Sequence, residues 1–369
     1  MGGLVFLALG MFFNCMMYCF WSKLKEGIAI IDATADFFIE TKRIVFISLF
    51  QFFWQLVLTG ACISVLVCIT ANQDITVDPL SKTLQGKNID FSSNGKIFLG
   101  VLLFGWLWIQ IYLSNTTVMA CMCSASTFYF NSNAEHTGSA DVVKSLWWSN
   151  VTHAGSIALG SLMMAIIRVL RALVESRGNG TANAAGKCIM CCLQCLEDAV
   201  DYINLIAYAN MAVSGDSFCT SAWNGFILNL KHCVKFYFAQ TLAGMFVFIG
   251  YLFVVGFNVL TLFMVSKYAT KSYDNIYYFS APTSIIAFSS LITATLFIGL
   301  FSKAVVATLQ SMAIDRDVHN GETKFGPPSY HKKLRNIYGE DYGRPVEYNN
   351  QNQVFEAAPN NRERNNSIV

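Results

Sequence analysis

Long apolar stretches, separated by short polar segments, make up most of the chain. Six of these stretches carry few or no charges and reach the roughly 17–25 residues or more that a helix needs to cross a bilayer. They are residues 3–21, 44–71, 97–114, 151–170, 236–265 and 276–306. Each is predicted to span the membrane, and the first is predicted to be retained because it lacks the basic segment and cleavage site of a secretory signal.

Two further segments complete the predicted bundle. Residues 116–130 carry no charge, and the preceding Ser-Asn-Thr-Thr is predicted to break them from the helix before. Residues 199–228 mix apolar faces with Asp201, Asp216 and Gly215, which is typical of a broken or re-entrant helix pair shielded from lipid. The pattern therefore predicts an all-α fold, a polytopic bundle of about seven to nine membrane helices that includes one broken or re-entrant pair.

This membrane domain is predicted to occupy residues 1–315. The tail that follows, residues 316–369, is polar, rich in Asn and interrupted by Pro, so we expect it to be disordered. Near the start, residues 22–43 place Ile28 and Ile31 on one apolar helical face with charged residues largely off it. We expect this segment to be an amphipathic helix lying in the membrane interface.

Composition and charge support a membrane location. Hydrophobic residues make up 54% of the chain and charged residues 13%, and the net charge of +2 without long basic runs gives no reason to expect nucleic-acid binding. Nineteen Lys and Arg fall on one set of loops and six on the other, provided that residues 116–130 cross separately. This bias predicts that residues 173–198 and the tail face the cytosol, or the equivalent side of an organelle, and that residues 72–95 form an outer loop. We therefore expect an integral protein of the plasma membrane or an organellar membrane, in contact with the lipid bilayer.

Four cysteines in residues 173–198 raise the question of a metal site. On a helix they share one face, but the ends of the stripe lie about 10 Å apart, whereas four zinc ligands must lie within roughly 4 Å of one another. A thiol stripe at a membrane boundary and S-acylation of these cysteines both stay open. No metal, cofactor or enzyme motif is predicted. The four residues are Cys188, Cys191, Cys192 and Cys195.

Beyond these cysteines, the sequence resembles the choline transporter-like family of solute carriers. The cysteine cluster followed by Leu-Glu, an Ala-Tyr, a Gly and Phe-Cys-x-Ser-Ala matches the family signature, and "HAGSIALGSL" matches a motif upstream of it. The matching residues include Gly155, Ser156, Gly160, Cys191, Cys192, Cys195, Glu197, Gly215, Phe218 and Cys219. The resemblance covers the C-terminal two-thirds of a typical member, and we expect the family's N-terminal helix and large extracellular loop to be absent.

This resemblance implies membrane transport of choline or a related amino-alcohol, with a small cationic solute as ligand and no enzymatic activity. A permanent cation is recognised by aromatic faces, and the candidate cage is Trp108, Tyr112 and Tyr208. Asn115 and His153 are candidates for lining the substrate path. Each of these residues also has a simpler interpretation as core, interface or a satisfied polar group.

Several signature positions depart from the family pattern. The family's Arg-Asn before Ala-Tyr is Leu205-Ile206, its Lys after the Gly is Asp216, and the basic residue after Ser-Ala is Trp223. Polar and basic groups are therefore lost together. This observation leaves an alternative open: a degenerate family member retained as a structural or accessory subunit of a larger membrane complex, with other membrane proteins as its partners.

Overall fold

The computed structural model describes residues 21–71, 74–77, 87–90, 92–176, 184–267 and 276–339. Within them, helices α1 to α10 are Trp21–Glu40, Ile44–Ala71, Ser93–Asn131, Val142–Trp147, Ala154–Ser176, Ala184–Ser214, Phe218–Lys231, Cys233–Val265, Ile276–Val318 and Pro328–Tyr338. A short π-helical turn, Trp148–Thr152, links α4 to α5. Strands β1 (Asp74–Val77) and β2 (Lys87–Asp90) pair antiparallel, with Asp74 opposite Asp90.

The prediction of a helical membrane bundle is confirmed. Among the described residues, five helices are long and apolar enough to cross a membrane. They are α2, α3, α5, α8 and most of α9. Five helices do not reach the predicted seven to nine, and the predicted first span, residues 3–21, lies almost wholly outside the described residues. The all-α description needs one correction, because the β1–β2 hairpin lies inside the predicted outer loop.

Helix α3 runs unbroken through the predicted interruption. The hydroxyl of Thr116 donates to the carbonyl of Tyr112 at 2.9 Å, and that of Thr117 donates to the carbonyl of Leu113 at 3.3 Å. Because these polar side chains are satisfied by the preceding turn, they do not end the helix. Residues 116–130 therefore form no separate helix. The predicted division of Lys and Arg between the two sides of the membrane assumed that these residues cross the membrane separately, and this assumption is wrong.

The predicted break within residues 199–228 is present. Helix α6 ends at Ser214, and Gly215 follows with φ 72°, a left-handed conformation that glycine adopts without strain. The Gly215 N–H donates to the carbonyl of Met211 at 2.9 Å, and α7 begins at Phe218. Helix α6 begins at residue 184 rather than 199, so the cysteines lie on the same helix as Tyr208.

Helix α1 packs against α8, α9 and α10 through buried residues that include Ile30 and Phe37. Ile28, which the sequence placed on the apolar face, is exposed. Helix α10 belongs to the segment expected to be disordered, yet it docks on α1, where Lys333 lies 2.8 Å from Asp32. Part of the tail is therefore ordered, and residues 340–369 lie outside the described part of the chain.

Candidate functional site

A small polar cavity of about 150 Å³ lies among helices α3, α5, α6 and α9. Its polar and charged lining residues are Ser114, Asn115, Arg168, Asp201, Asn204, Tyr208 and Lys303. The remaining lining residues are Ile111, Val118, Met164 and Leu205. Concave sites with a few convergent polar groups are where small molecules usually bind in proteins.

Helical spacing explains how α6 supplies three of these residues. Asp201, Asn204 and Tyr208 are three and four residues apart, so their side chains project from one face of the helix. Asn204 is 3% exposed and Tyr208 is 1% exposed. The face therefore combines a carboxylate, an amide and a phenol over two turns.

Gly160 allows α5 and α6 to approach closely at this point. A Cβ atom on Gly160 would lie 2.5 Å from the hydroxyl oxygen of Tyr208 and 2.9 Å from Oδ1 of Asn204. Because glycine has no Cβ, α6 comes close enough for Nδ2 of Asn204 to donate to the Gly160 carbonyl at 3.2 Å. Gly155 has no heavy atom near enough to contact such a Cβ, so only the second glycine of the motif serves close packing.

Hydrogen bonds hold the phenol of Tyr208 in place. Nδ2 of Asn115 donates to Oγ of Ser161 at 2.9 Å and to the Tyr208 hydroxyl oxygen at 3.3 Å. Oγ of Ser161 in turn donates to the carbonyl of Ile157 at 2.7 Å. Oδ1 of Asn204 is buried and accepts no hydrogen bond from the described residues. A residue that lines the cavity therefore carries a buried acceptor without a donor among the described residues.

Charged groups rim the cavity. Nε of Arg168 lies 3.1 Å from Oε1 of Glu197, and Nη1 of Arg171 lies 2.7 Å from Oε2 of the same carboxylate. The hydrogen bonds from Arg171 and Arg168 hold the pKa of Glu197 below its ordinary value. This ion-pair cluster ties α5 to α6 beside the cavity.

The structure brings together only part of the predicted cage. Tyr208 and Asn115 line the cavity. Trp108 does not; its Nε1 donates to the carbonyl of Ala158 at 3.2 Å, and its ring packs against the cluster formed by Ile111 and Met164. Trp108 therefore contacts residues of the cavity lining but is not part of that lining.

Tyr112 and His153 also lie away from the cavity lining. The Tyr112 ring is half-buried and packs against the main hydrophobic core. His153 is a buried residue at the end of the π-helical turn, where its backbone N–H donates to the carbonyl of Trp148. His153 therefore lies just before α5 and outside the cavity lining.

The signature residues have distinct structural roles. The Phe218 ring packs against Tyr208 with centroids 6.1 Å apart, and Cys219 is exposed. Ser156 is half-buried on α5. The four cysteines of the stripe are all exposed on α6. Within the described residues, no group of three or more His, Cys, Asp or Glu comes together as a metal site.

Sequence reasoning gave no site role to Asn204, Arg168 or Lys303. Asn204 could have been found, because it lies one turn before Tyr208 and must share its helical face. Arg168 and Lys303 were counted only as charges that orient helices. Lys303 comes from a helix remote in sequence, and no spacing rule brings it to the cavity.

Comparison with known proteins identifies consistent similarities. The family profile described as "Plasma-membrane choline transporter" matches residues 4–317. Choline transporter-like protein 1 of Xenopus laevis is 24% identical over 341 residues, which is 90% of this chain and 50% of the relative. Choline transporter-like 2 of Drosophila melanogaster is 24% identical over 251 residues, 66% of this chain and 31% of the relative. Human choline transporter-like protein 3 is 24% identical over 230 residues, 60% of this chain and 35% of the relative. The chain thus spans about a third to a half of the length of these relatives.

Proposed function

Because the chain belongs to the choline transporter-like family, we propose that it carries choline or a related amino-alcohol across a membrane. The polar cavity among α3, α5, α6 and α9 is the proposed solute site. An amino-alcohol has a cationic end and a hydroxyl, so it needs an anionic or aromatic surface together with a hydrogen-bond partner.

One observation carries this proposal. The buried Oδ1 of Asn204 has no donor among the described residues, and the carboxylate of Asp201 lies one turn away on the same face of α6. A solute hydroxyl, or an N–H of a primary ammonium, would donate to Asn204, while Asp201 and the Tyr208 ring would face the cation. Both ends of an amino-alcohol then find a complementary group.

The other predicted residues keep supporting roles in this proposal. Asn115 positions the phenol of Tyr208 through its hydrogen bond. Trp108 and Tyr112 are proposed to add aromatic surface in another state of the transport cycle, because alternating access moves helices around a fixed site. His153 is proposed to lie along the solute path rather than at the site.

The proposal also covers the number of membrane helices and the side of the membrane that the tail faces. Seven to nine membrane helices are proposed for the whole chain, and the α6–α7 pair is proposed to be the re-entrant element. The tail is proposed to face the cytosol or the equivalent side of an organelle, in the plasma membrane or an organellar membrane.

Uptake of radiolabelled choline and ethanolamine into liposomes containing the purified full chain tests the proposal. In Asn204→Leu the solute loses a hydrogen bond worth about 1.5–3 kcal/mol, so uptake should fall roughly ten- to a hundredfold. Asn210→Leu is the matched control, because Asn210 is a buried asparagine of α6 that does not line the cavity.

Two outcomes contradict solute transport by this site. One is the absence of saturable uptake of either amino-alcohol by the unmodified chain. The other is equal loss of uptake in Asn204→Leu and in Asn210→Leu, which would indicate a general structural defect.

The alternative, an accessory subunit of a larger membrane complex, makes a different prediction. It requires stable association with other membrane proteins, so native mass measurement in mild detergent should find heavier assemblies. A chain that is found alone, and that takes up choline in liposomes, removes this alternative.

A further inference from the structure

We propose that a second cavity, among helices α2, α3, α8 and α9, binds a small singly charged anionic group at Lys303. This cavity has a volume of about 380 Å³ and shares Ser114, Val118 and Lys303 with the solute cavity. Its size falls within the roughly 300–1,000 Å³ that is usual for small-molecule sites.

The described lining of this cavity carries positive charge and no negative charge. Lys303 is the one charged residue among its described lining residues, and no carboxylate lines it. Within the described part of the chain, the Lys303 ammonium has neither an ion-pair partner nor a hydrogen bond. Asp201 lines the neighbouring cavity with Lys303, yet the two residues form no ion pair.

Such a lysine is costly at this position. Lys303 lies within the apolar helix α9, about 18 Å along the axis from Asp315 near its end. Ionisable side chains inside membrane helices are rare and usually face a partner or a ligand path. A bound anion would supply the missing partner.

Two uncharged donors add to the case. Hydroxyl and side-chain amide N–H groups donate hydrogen bonds to anions. Ser48 is 2% exposed, and its Oγ has no hydrogen-bond partner among the described residues. Nε2 of Gln51 is also buried and has no partner there. Ser48 and Gln51 are three residues apart on α2, and both line this cavity. Together they add two neutral donors to one cation.

Neighbouring polar groups are already engaged. Nε2 of Gln55 donates to the carbonyl of Gln110 at 3.5 Å, and Nε2 of Gln110 donates to the carbonyl of Gln55 at 3.3 Å. The hydroxyl of Thr117 donates to the carbonyl of Leu113. Ser48, Gln51 and Lys303 each carry a donor group that lacks such a partner among the described residues.

One lysine balances one negative charge, which favours a monovalent group. That group has two sources: a free anion such as chloride, or the carboxylate of a zwitterionic solute whose cationic end lies in the neighbouring cavity. Only the second source involves the proposed amino-alcohol site.

Thermal unfolding of the full chain in neutral detergent distinguishes these sources. The reference buffer contains sodium gluconate, and the two probes are chloride and glycine betaine, a carboxylate joined to a quaternary ammonium. We expect at least one probe to produce a saturable rise in Tm of about 2–4 °C. A response to chloride identifies a free anion, and a response to glycine betaine alone identifies a zwitterionic solute.

Lys303→Met should abolish the response and keep the fold, because it replaces an unpartnered charge by an apolar side chain of similar length. Lys187→Met, at an exposed lysine of α6, is the matched control and should respond like the unmodified chain. Gln51→Leu should weaken the apparent affinity for the probe without removing the response.

The anion site is wrong if neither probe raises the Tm of the unmodified chain, or if Lys303→Met responds as strongly. Saturable amino-alcohol uptake by the unmodified chain, together with no Tm response to either probe, separates this failure from a failure of the proposed transport function. A glycine betaine response that is lost in both Lys303→Met and Asp201→Asn supports the zwitterionic source.

Discussion

Two of the charged residues on helix α9, Asp315 and Lys303, have opposite surroundings. The carboxylate of Asp315 is fully buried and accepts hydrogen bonds at 3.1 Å from the Tyr129 hydroxyl and from the backbone N–H groups of Lys324 and Phe325. Nδ1 of His319 lies 2.8 Å from its other oxygen. Lys303, twelve residues earlier, lines two cavities and has no partner among the described residues.

This difference separates structural charge from charge that is available to a ligand. Around Asp315 every partner comes from the protein, so the carboxylate joins α3, α9 and the loop before α10 into one unit. The Lys303 ammonium and Oδ1 of Asn204 have no partner among the described residues, and both residues line a cavity. We infer that the unsatisfied groups of Asn204 and Lys303 mark the binding region, whereas the satisfied network at Asp315 holds the chain together.

Replacing Asp315 should produce the largest loss of stability. Asp315→Ala leaves the Tyr129 hydroxyl and two backbone N–H groups buried without an acceptor, and breaking a buried charged network typically costs about 3–5 kcal/mol. We expect the midpoint of thermal unfolding in detergent to fall sharply, together with faster proteolysis near α10.

Asp317→Ala is the matched control for this prediction. Asp317 is an exposed carboxylate on the same helix, 2.8 Å from Nζ of Lys231. An exposed ion pair contributes about 0–1 kcal/mol, so this variant should stay close to the unmodified chain. If the two variants are equally stable, Asp315 does not anchor the tail.

Gly160→Ala tests the close packing that forms the solute cavity, and its effect should be smaller. The added Cβ would lie 2.5 Å from the hydroxyl of Tyr208 and 2.9 Å from Oδ1 of Asn204. Overpacking of this kind costs about 1–3 kcal/mol and should also reduce solute binding by displacing both side chains. Calorimetry and uptake by the same preparation measure the two effects.

Gly155→Ala provides the control, because a Cβ there meets no heavy atom within 4 Å. Alanine is the better helix former, so this variant should be as stable as the unmodified chain or more stable by up to about 1 kcal/mol. Equal behaviour of the two alanine variants would contradict the packing role of Gly160.

Much of the fold was predictable from local pattern. The apolar run 44–71 is the observed helix α2, and the break at Gly215 follows from the need of a helix end for a left-handed residue. The break proposed before residue 116 was wrong, because Thr116 and Thr117 bond to carbonyls of their own helix. The sequence alone does not show whether a polar residue will end a helix or bond to a carbonyl of the preceding turn.

The candidate site was less predictable, for a different physical reason. Aromatic chemistry pointed to Tyr208, which lines the cavity, but also to Trp108, whose indole N–H bonds to Ala158 instead. The contribution of Lys303 depends on how α9 packs against α3 and α6. Contacts between helices remote in sequence leave no periodic signal, so single-sequence reasoning could not supply them.

Glu197 is intermediate between Asp315 and Lys303, because its carboxylate has ion-pair partners but remains partly exposed. The Arg171 and Arg168 guanidiniums lower its pKa in the folded chain, so the stabilisation is present above the ordinary Glu pKa and is lost as the pH falls through the lowered value. Because both arginines are more than a third exposed, Glu197→Gln should cost about 1 kcal/mol or less at pH 7.

This prediction is checked by measuring the thermal unfolding of the unmodified chain and of Glu197→Gln as a function of pH. The unmodified chain should lose stability below about pH 4.3 more steeply than Glu197→Gln, because only the unmodified chain has a carboxylate there to protonate. Parallel curves for the two proteins would show that the ion pairs with Arg168 and Arg171 do not stabilise the fold.

The smallest effect is expected at the thiol stripe of α6, which lies on the protein surface. The four cysteines are exposed, and the ends of the stripe lie about 10 Å apart along the helix, too far for one zinc ion. Replacing all four by Ser should change stability by no more than about 0.5 kcal/mol, and zinc or a chelator should leave the Tm unchanged. A zinc-dependent rise in Tm that the Ser variant loses would overturn this expectation. Intact mass measurement of the chain from cells tests S-acylation separately, because an added lipid mass that disappears in the variant would assign the stripe a role as a membrane anchor.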